Sequence, residues 1–253
     1  MYQERPSRLP GAFVWRRTAE REPRAGRVLP DGCMDLLWWR GDLVVAGPDT
    51  VAYESRLEPG ETIVGLRFAP GVAPAALGVP ADELRDSRVR LAALWPARAV
   101  REAVDRVAAA RGRVPSGAVL GDAATARAVR AGVAAAPGRA LEEIAAGRLA
   151  EVGGPDRAVT AVVPLLRAGA SVAAVAGEVG LSERQLHRRS LSAFGYGPKT
   201  LARILRLERA LALARAGAPL AAVAAESGYA DQAHLSRDAR ALGGAPVGTL
   251  IRP

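Results

Sequence analysis

Arg188 and Arg237 are the residues of this 253-residue chain whose spacing most constrains their chemistry. Each lies six residues beyond a side chain suited to cap a helix N-terminus, Ser182 and Asp231. Arginine pairs bidentately with guanine in the major groove, and glutamine does the same with adenine. Gln232, His234 and Ser236 surround Arg237, while Ser182, Arg184, His187 and Arg189 surround Arg188. Arg189, Lys199 and Arg203 stand at positions suited to phosphate contact. A plain solvated helix face is the alternative for each charge. A second group lies near the other end of the chain: Asp31, Cys33, Asp35 and Trp38. Two carboxylates, a thiol and an indole this close together suit a small-ligand site, although Pro30-Asp31-Gly32 is first of all a turn.

Catalytic and metal chemistry find little support. The two histidines are His187 and His234, so the first 186 residues hold none and a His-rich metal set cannot form there. Cys33 is the single cysteine and has no internal disulfide partner. We assign no catalytic residue, no metal and no cofactor.

The elements that position the arginines form an internal repeat. Val172, Val175, Ala176 and Val179 fall at i, i+3, i+4 and i+7, one face of a helix. Gly180 supplies a turn, Leu181 plugs it, and Ser182 starts a helix with Leu186 inward. Forty-eight residues later Leu220, Val223, Ala224, Gly228 and Tyr229 repeat the pattern. Asp231 caps the next helix after one inserted residue, and Gly243 to Pro246 closes it as Gly195 to Pro198 closes the first. Each copy is helix, glycine turn, helix. A long helix from Lys199 to Ala216, apolar on two sides, joins the copies, so that both reading helices face one side of a duplex about 34 Å apart.

The first ninety-odd residues read as β-rich, with short apolar runs between turn signals. Val64, Leu66 and Phe68 alternate as one buried strand face requires. The expected architecture is α+β multidomain: a small β-barrel or sandwich at 1–96, a helical linker or dimerisation region at 97–153, and an all-α double helix-turn-helix domain at 154–253. Within the linker, helices are expected at 97–111, 122–136 and 141–149, with a break at 112–121.

Charge follows the same division. From Arg157 onward there are 13 basic and 6 acidic residues, so +7 of the chain's net +9 sits in the C-terminal segment. Such asymmetry suits a polyanionic partner and, on charge alone, equally a solvated basic surface without one. No apolar run is long enough for a membrane span, and no apolar signal segment is visible, so the expected location is the cytoplasm.

From Gly169 onward the chain resembles the AraC-type regulators. The matching residues are Val175-Ala176, Gly180-Leu181-Ser182, Leu186, Arg188, Gly195, Pro198, Arg206-Leu207, Val223-Ala224, Gly228-Tyr229, Asp231-Gln232, His234 to Arg237, Gly243 and Pro246. The chain departs from the family at Ser190 and Ala239, where it usually has bulky aromatics. The resemblance implies double-stranded DNA as partner, with Ser182, Arg184, His187, Arg188, Gln232, His234, Ser236 and Arg237 facing bases. RNA polymerase, a small-molecule effector and a second copy of the chain are the further candidate partners. Leu29 to Leu36, Gly47-Pro48 and Gly65 to Gly71 resemble a cupin-related domain fused to such regulators in actinobacteria, by analogy a sensor. A metal-cupin enzyme and an interaction module with a basic tail are the competing readings. The first lacks histidines, and salt-dependent duplex binding separates the second.

Overall fold

A computed structural model describes residues 1–20, 26–112 and 123–252. Its N-terminal part is an antiparallel six-stranded sheet. In chain order the strands are β1 (Tyr2–Pro6), β2 (Phe13–Thr18), β4 (Met34–Trp39), β5 (Asp42–Ala46), β7 (Thr62–Phe68) and β8 (Arg88–Arg90). Their spatial order is β1-β2-β7-β4-β5-β8. The remaining two strands, β3 (Gly26–Val28) and β6 (Tyr53–Ser55), form a separate ribbon.

Period-2 alternation gives the sheet two apolar faces. Leu36, Trp38, Leu43, Val45, Val64, Leu66 and Phe68 enter one core, packed by helices. Leu37, Val44, Ala46 and Ile63, with Trp15 and Trp39, form a second cluster on the opposite face. The helices on the first face are α1 (Ala73–Leu77), α2 (Ala97–Gly112) and α3 (Ala123–Glu151). Val100, Ala103, Val107, Ala140, Leu141, Ile144 and Ala145 from α2 and α3 share that core with the strands. The segment expected as a linker therefore contributes to the core of the sheet domain.

The separate helices expected at 122–136 and 141–149 are one helix, α3, that runs through Pro137. Proline removes one backbone donor and crowds the preceding turn. Here the buried row from Ala140 to Ala145 outweighs that cost. Gly138 adds to it, because a Cβ there would overlap Val14 on the sheet. The expected break at 112–121 lies, beyond Gly112, outside the described residues.

The C-terminal part is all helix: α4 (Arg157–Arg167), α5 (Val172–Glu178), α6 (Glu183–Phe194), α7 (Pro198–Arg215), α8 (Leu220–Glu226), α9 (Gln232–Gly243) and α10 (Val247–Leu250). They share one core, to which α7 contributes Leu201, Ile204, Leu205, Leu207, Ala210, Leu211 and Ala214. A helix buried on two sides joins the two halves of the bundle. Among the described residues no helix is long and apolar enough to cross a membrane.

Candidate nucleic-acid interface and the cavity behind it

The two helix-turn-helix units are built by the same local devices. In the first, Gly180 takes φ +68 and Leu181 N–H donates to the Ala176 carbonyl at 2.8 Å. In the second, Gly228 takes φ +78 and Tyr229 N–H donates to Ala224 at 2.9 Å. A left-handed φ at this turn favours glycine. Ser182 caps α6 by accepting from Gln185 N–H, and Gln185 returns a bond to the Ser182 backbone, a capping box. Asp231 caps α9 by accepting from His234 N–H at 2.6 Å.

These caps fix which side chains face out. On α6, Leu186, Ser190 and Phe194 are buried, while Arg184, His187, Arg188 and Arg189 are exposed. On α9, Leu235, Asp238, Ala239 and Leu242 are buried, Gln232 and Arg237 are exposed, and His234 and Ser236 are half-buried. His234 sits edge-on to Tyr229 with ring centroids 5.0 Å apart. Ser190 and Ala239 are buried at 1% and 0% exposure, so small side chains fill these positions without reaching solvent. The second unit closes one residue later than expected: Gly244, not Gly243, takes the left-handed conformation at the helix end. The residue inserted before Asp231 shifts the whole helix, and Gly243 instead lies against Leu250.

The cations divide into two groups. Among the described residues Arg184, Arg188, Arg237 and Lys199 form no ion pair within the chain. Arg189 pairs with Asp156 at 3.1 Å, at the start of α4. Arg203, expected at a phosphate, has a partner within the chain. It donates to Asp238 at 2.7 Å, reaching across from α7 to α9. Arg206 approaches the same carboxylate at 3.6 Å and lies 4.6 Å over the Tyr229 ring. Burial, with Asp238 nearby, pushes the Tyr229 hydroxyl up to about 12, so it stays neutral beneath Arg206. Arg203 and Arg206 thus brace the second unit, while Arg203 remains 44% exposed.

Behind the bundle, a cavity of about 570 Å³ lies between the second face of the sheet, the β3–β6 ribbon and α7. Asp31 and Asp35 line it, but Trp38 does not. Trp38 points to the helix-packed face, whereas Asp35, Leu37 and Trp39 share the cavity face at alternate positions. Trp15 and Arg67 complete the polar end. The Trp15 ring lies across Gly65 on the neighbouring strand, where a Cβ would overlap it, and Nε1 donates to Asp35 Oδ1 at 2.5 Å. Arg67 Nε lies 3.6 Å from Asp31 Oδ2 and 3.5 Å from Asp35 Oδ1. Burial pushes the Asp35 carboxyl up; Arg67 opposes that shift and Asp31 adds to it. Burial works against the Arg67 charge, but Asp35 and Asp31 outweigh it and hold its pKa above the ordinary value.

Cys33 lines a second cavity of about 660 Å³, which shares Asp31, Arg67 and Glu208 with the first. Burial pushes its thiol well up, and the Cys33 N–H donates to Asp31 Oδ1 at 2.9 Å. Among the described residues no group of three or more His, Cys, Asp or Glu is placed to hold a metal ion.

Residues 160–252 match a family described as a helix-turn-helix domain, and residues 12–90 match a domain of unknown function, DUF6597. No curated protein gives a significant match. Among solved structures, a probable AraC family transcriptional regulator from Rhodopseudomonas palustris is 25% identical, covering 39% of this chain and 100% of its own, with a TM-score of 0.34. ToxT from Vibrio cholerae is 9% identical over 99% of this chain and 97% of its own, with a TM-score of 0.45. Unsaturated fatty acid-bound wild-type ToxT from the same organism is 11% identical over 99% and 97%, with a TM-score of 0.41. The paired turns, caps and outward arginines of residues 160–252 agree with the helix-turn-helix domain whose family model they match.

Proposed function

We propose that the chain is a sequence-specific regulator of transcription that binds double-stranded DNA through α6 and α9 and responds to a small molecule through its N-terminal domain. The observation that carries the DNA reading is the matched pair Arg188 and Arg237, each exposed, unpaired within the chain and six residues past its helix cap. In this reading Ser182, Arg184, His187, Gln232, His234 and Ser236 share the base-facing surfaces, and Lys199 and Arg189 hold phosphates. Arg189 would exchange its exposed Asp156 partner for DNA, at little cost for a surface pair. RNA polymerase contact, self-association as a homodimer and a cytoplasmic location follow from the family resemblance.

Selection of bound fragments from random duplex DNA, followed by binding of Arg188→Ala and Arg237→Ala to single-base variants, tests this. Each substitution should cost about 1–3 kcal/mol and relax discrimination only under its own helix. Binding should also weaken steeply with salt, as counterions are released. If both variants bind the whole panel as wild type does, neither arginine faces DNA.

A further inference from the structure

Helices α6 and α9 are tied together twice. Each packs on α7, which is the tie inside the bundle. The second tie runs through one loop of the N-terminal domain, Gly47 to Ala52, between β5 and β6. At one end of this loop Pro48 lies against Gly195, the left-handed residue that ends α6, so closely that a Cβ on Gly195 would overlap the proline ring. Arg85, from the neighbouring turn, donates Nη1 to the Gly195 carbonyl at 3.1 Å. At the other end the Ala52 N–H donates to the Leu242 carbonyl, in the last turn of α9, at 2.7 Å. Pro48 and Ala52 are four residues apart, a stretch that spans at most about 14 Å.

The loop is built to hold its shape. Gly47 N–H donates to the Ser87 carbonyl at 3.0 Å, and a Cβ on Gly47 would overlap the Leu84 carbonyl. Thr50 donates to the Asp86 carboxylate from its N–H at 2.6 Å and from its hydroxyl at 2.8 Å. The Asp86 N–H in turn donates to the Pro48 carbonyl at 3.1 Å. Asp49 accepts from both Nη atoms of Arg88 at 2.7 and 2.8 Å, and Arg88 lies 4.2 Å over the ring of Tyr53, the residue after Ala52. Asp86 itself takes φ +55. A left-handed φ outside glycine persists where surrounding contacts over-determine the backbone. A loop fixed at Gly47, Pro48, Asp49 and Thr50 transmits force between its ends instead of absorbing it as slack.

We propose that this loop limits the separation of α6 and α9, and thereby selects which half-site spacing on DNA the protein accepts. The proposal rests on the DNA reading above and places a specificity determinant outside the helix-turn-helix units. The short reach of the loop gives it a direction. The helix ends cannot move apart without breaking the Ala52 bond to Leu242 or the Arg85 bond to Gly195, so the intact tie opposes a longer spacing. One added base pair moves a half-site by about 3.4 Å and about a tenth of a turn. Hydrogen bonds of 2.7 and 3.1 Å do not survive a displacement of that size.

The test measures spacing preference with the full chain. Fragments selected from random duplex DNA supply the best site, and its two halves are located by the base pairs at which Arg188→Ala and Arg237→Ala lose discrimination. One base pair is then inserted between the halves, or one removed. Wild type should bind the longer site at least about tenfold more weakly than the best one, the effect of losing one bond from a charged donor. Arg85→Ala removes the tie at α6. Asp86→Gly frees Thr50 and keeps a residue that accepts the left-handed φ. Both side chains are exposed, so neither change opens the core. The double variant should bind the longer site within about threefold of the best one, with affinity for the best site also held within about threefold of wild type. Should the double variant fail to fold, Arg85→Ala alone carries the same expectation, with a smaller relief of the penalty. An unchanged penalty, a wild type indifferent to spacing, or equal weakening on all three sites overturns the proposal; the last is what a merely structural contact produces. The DNA reading fails separately, and the proposal with it, when no fragment is selected or both arginine variants bind every sequence as wild type does. Single-base discrimination that depends on Arg188 and Arg237, together with an unchanged spacing penalty, keeps that reading and sinks the proposal.

Discussion

Asp238→Ala should loosen the second helix-turn-helix unit by about 2–3 kcal/mol. Asp238 is 5% exposed and is the common partner of two arginines from α7. Its Oδ1 accepts a charge-assisted bond from Arg203 at 2.7 Å, and its Oδ2 faces Arg206 at 3.6 Å. Removing one member of a fully buried pair costs about 3–5 kcal/mol. Arg203 is 44% exposed and Arg206 29%, so water recovers part of that loss, leaving the lower figure. Urea unfolding monitored by helical circular dichroism measures it, with Arg203→Ala as the matched variant. Arg203→Ala should cost about 1–2 kcal/mol in stability, the value of one hydrogen bond to a charged group reduced by exposure. It should leave the salt dependence of DNA binding unchanged, because the guanidinium is committed to Asp238. The opposite result refutes the reasoning: stability unaffected, with the salt slope falling by about one unit, places Arg203 on a phosphate.

Acid should unpin the edge of the sheet, because Glu142 accepts from both Arg5 Nη atoms at 2.8 and 3.0 Å and from Arg8 N–H at 2.9 Å. Burial alone would raise its pKa, but those donors hold it at about 2, below the ordinary 4.5. The stabilisation is therefore complete above about pH 4.5 and lost as pH falls toward 2. Screening at the more exposed Arg5 limits it to about 1–2 kcal/mol, and Glu142→Gln should flatten the acid limb of a stability–pH profile. Gly195→Ala should destabilise more than Gly217→Ala, since both have φ near +80 to +90 but only at Gly195 would a Cβ meet Pro48. The strain common to both is about 1–2 kcal/mol, and comparing their thermal unfolding isolates the contact. Gly65→Ala should displace the Trp15 ring from Asp35 at a cost of about 1–3 kcal/mol, seen as a changed near-ultraviolet dichroism spectrum.

The helix-turn-helix units were legible because every signal that makes them is local. Cap, turn glycine and inward leucine all lie within a few residues of one another, and the 48-residue repeat supplies a second reading of the same pattern. What was missed depends on distant packing. Pro137 does not break α3, because the buried row after it is held by the sheet. The Asp238 partner of Arg203 comes from α9, 35 residues away in sequence. Trp38 and Trp39 differ by one position and so by one face, and nothing near them in sequence says which face a cavity occupies. The cavity itself takes walls from β2, β4, β5, β7, the ribbon and α7, and Arg67 acquires its role only through Asp31 and Asp35 on other segments.

Helices α6 and α9 meet the N-terminal domain at the same place, their C-terminal ends. The last carbonyls of a helix lack intrahelical donors and must find others. At the end of α6, Arg85 Nη1 donates to the Gly195 carbonyl at 3.1 Å, and a Cβ at Gly71 would overlap the Phe194 ring. At the end of α9, Leu242 lies four residues before Pro246, which has no N–H to give. Its carbonyl instead accepts the Ala52 N–H at 2.7 Å, from the loop before β6. The N-terminal domain therefore holds both α6 and α9 by the ends opposite their caps. Arg184, Arg188 and Arg237 stay exposed in this arrangement, so the contact does not work by covering them. Its leverage is on orientation: a rotation of the sheet domain about α7 must carry both helices with it or break one of these bonds. On the proposed DNA reading, the spacing between two half-sites follows from that same relation between α6 and α9.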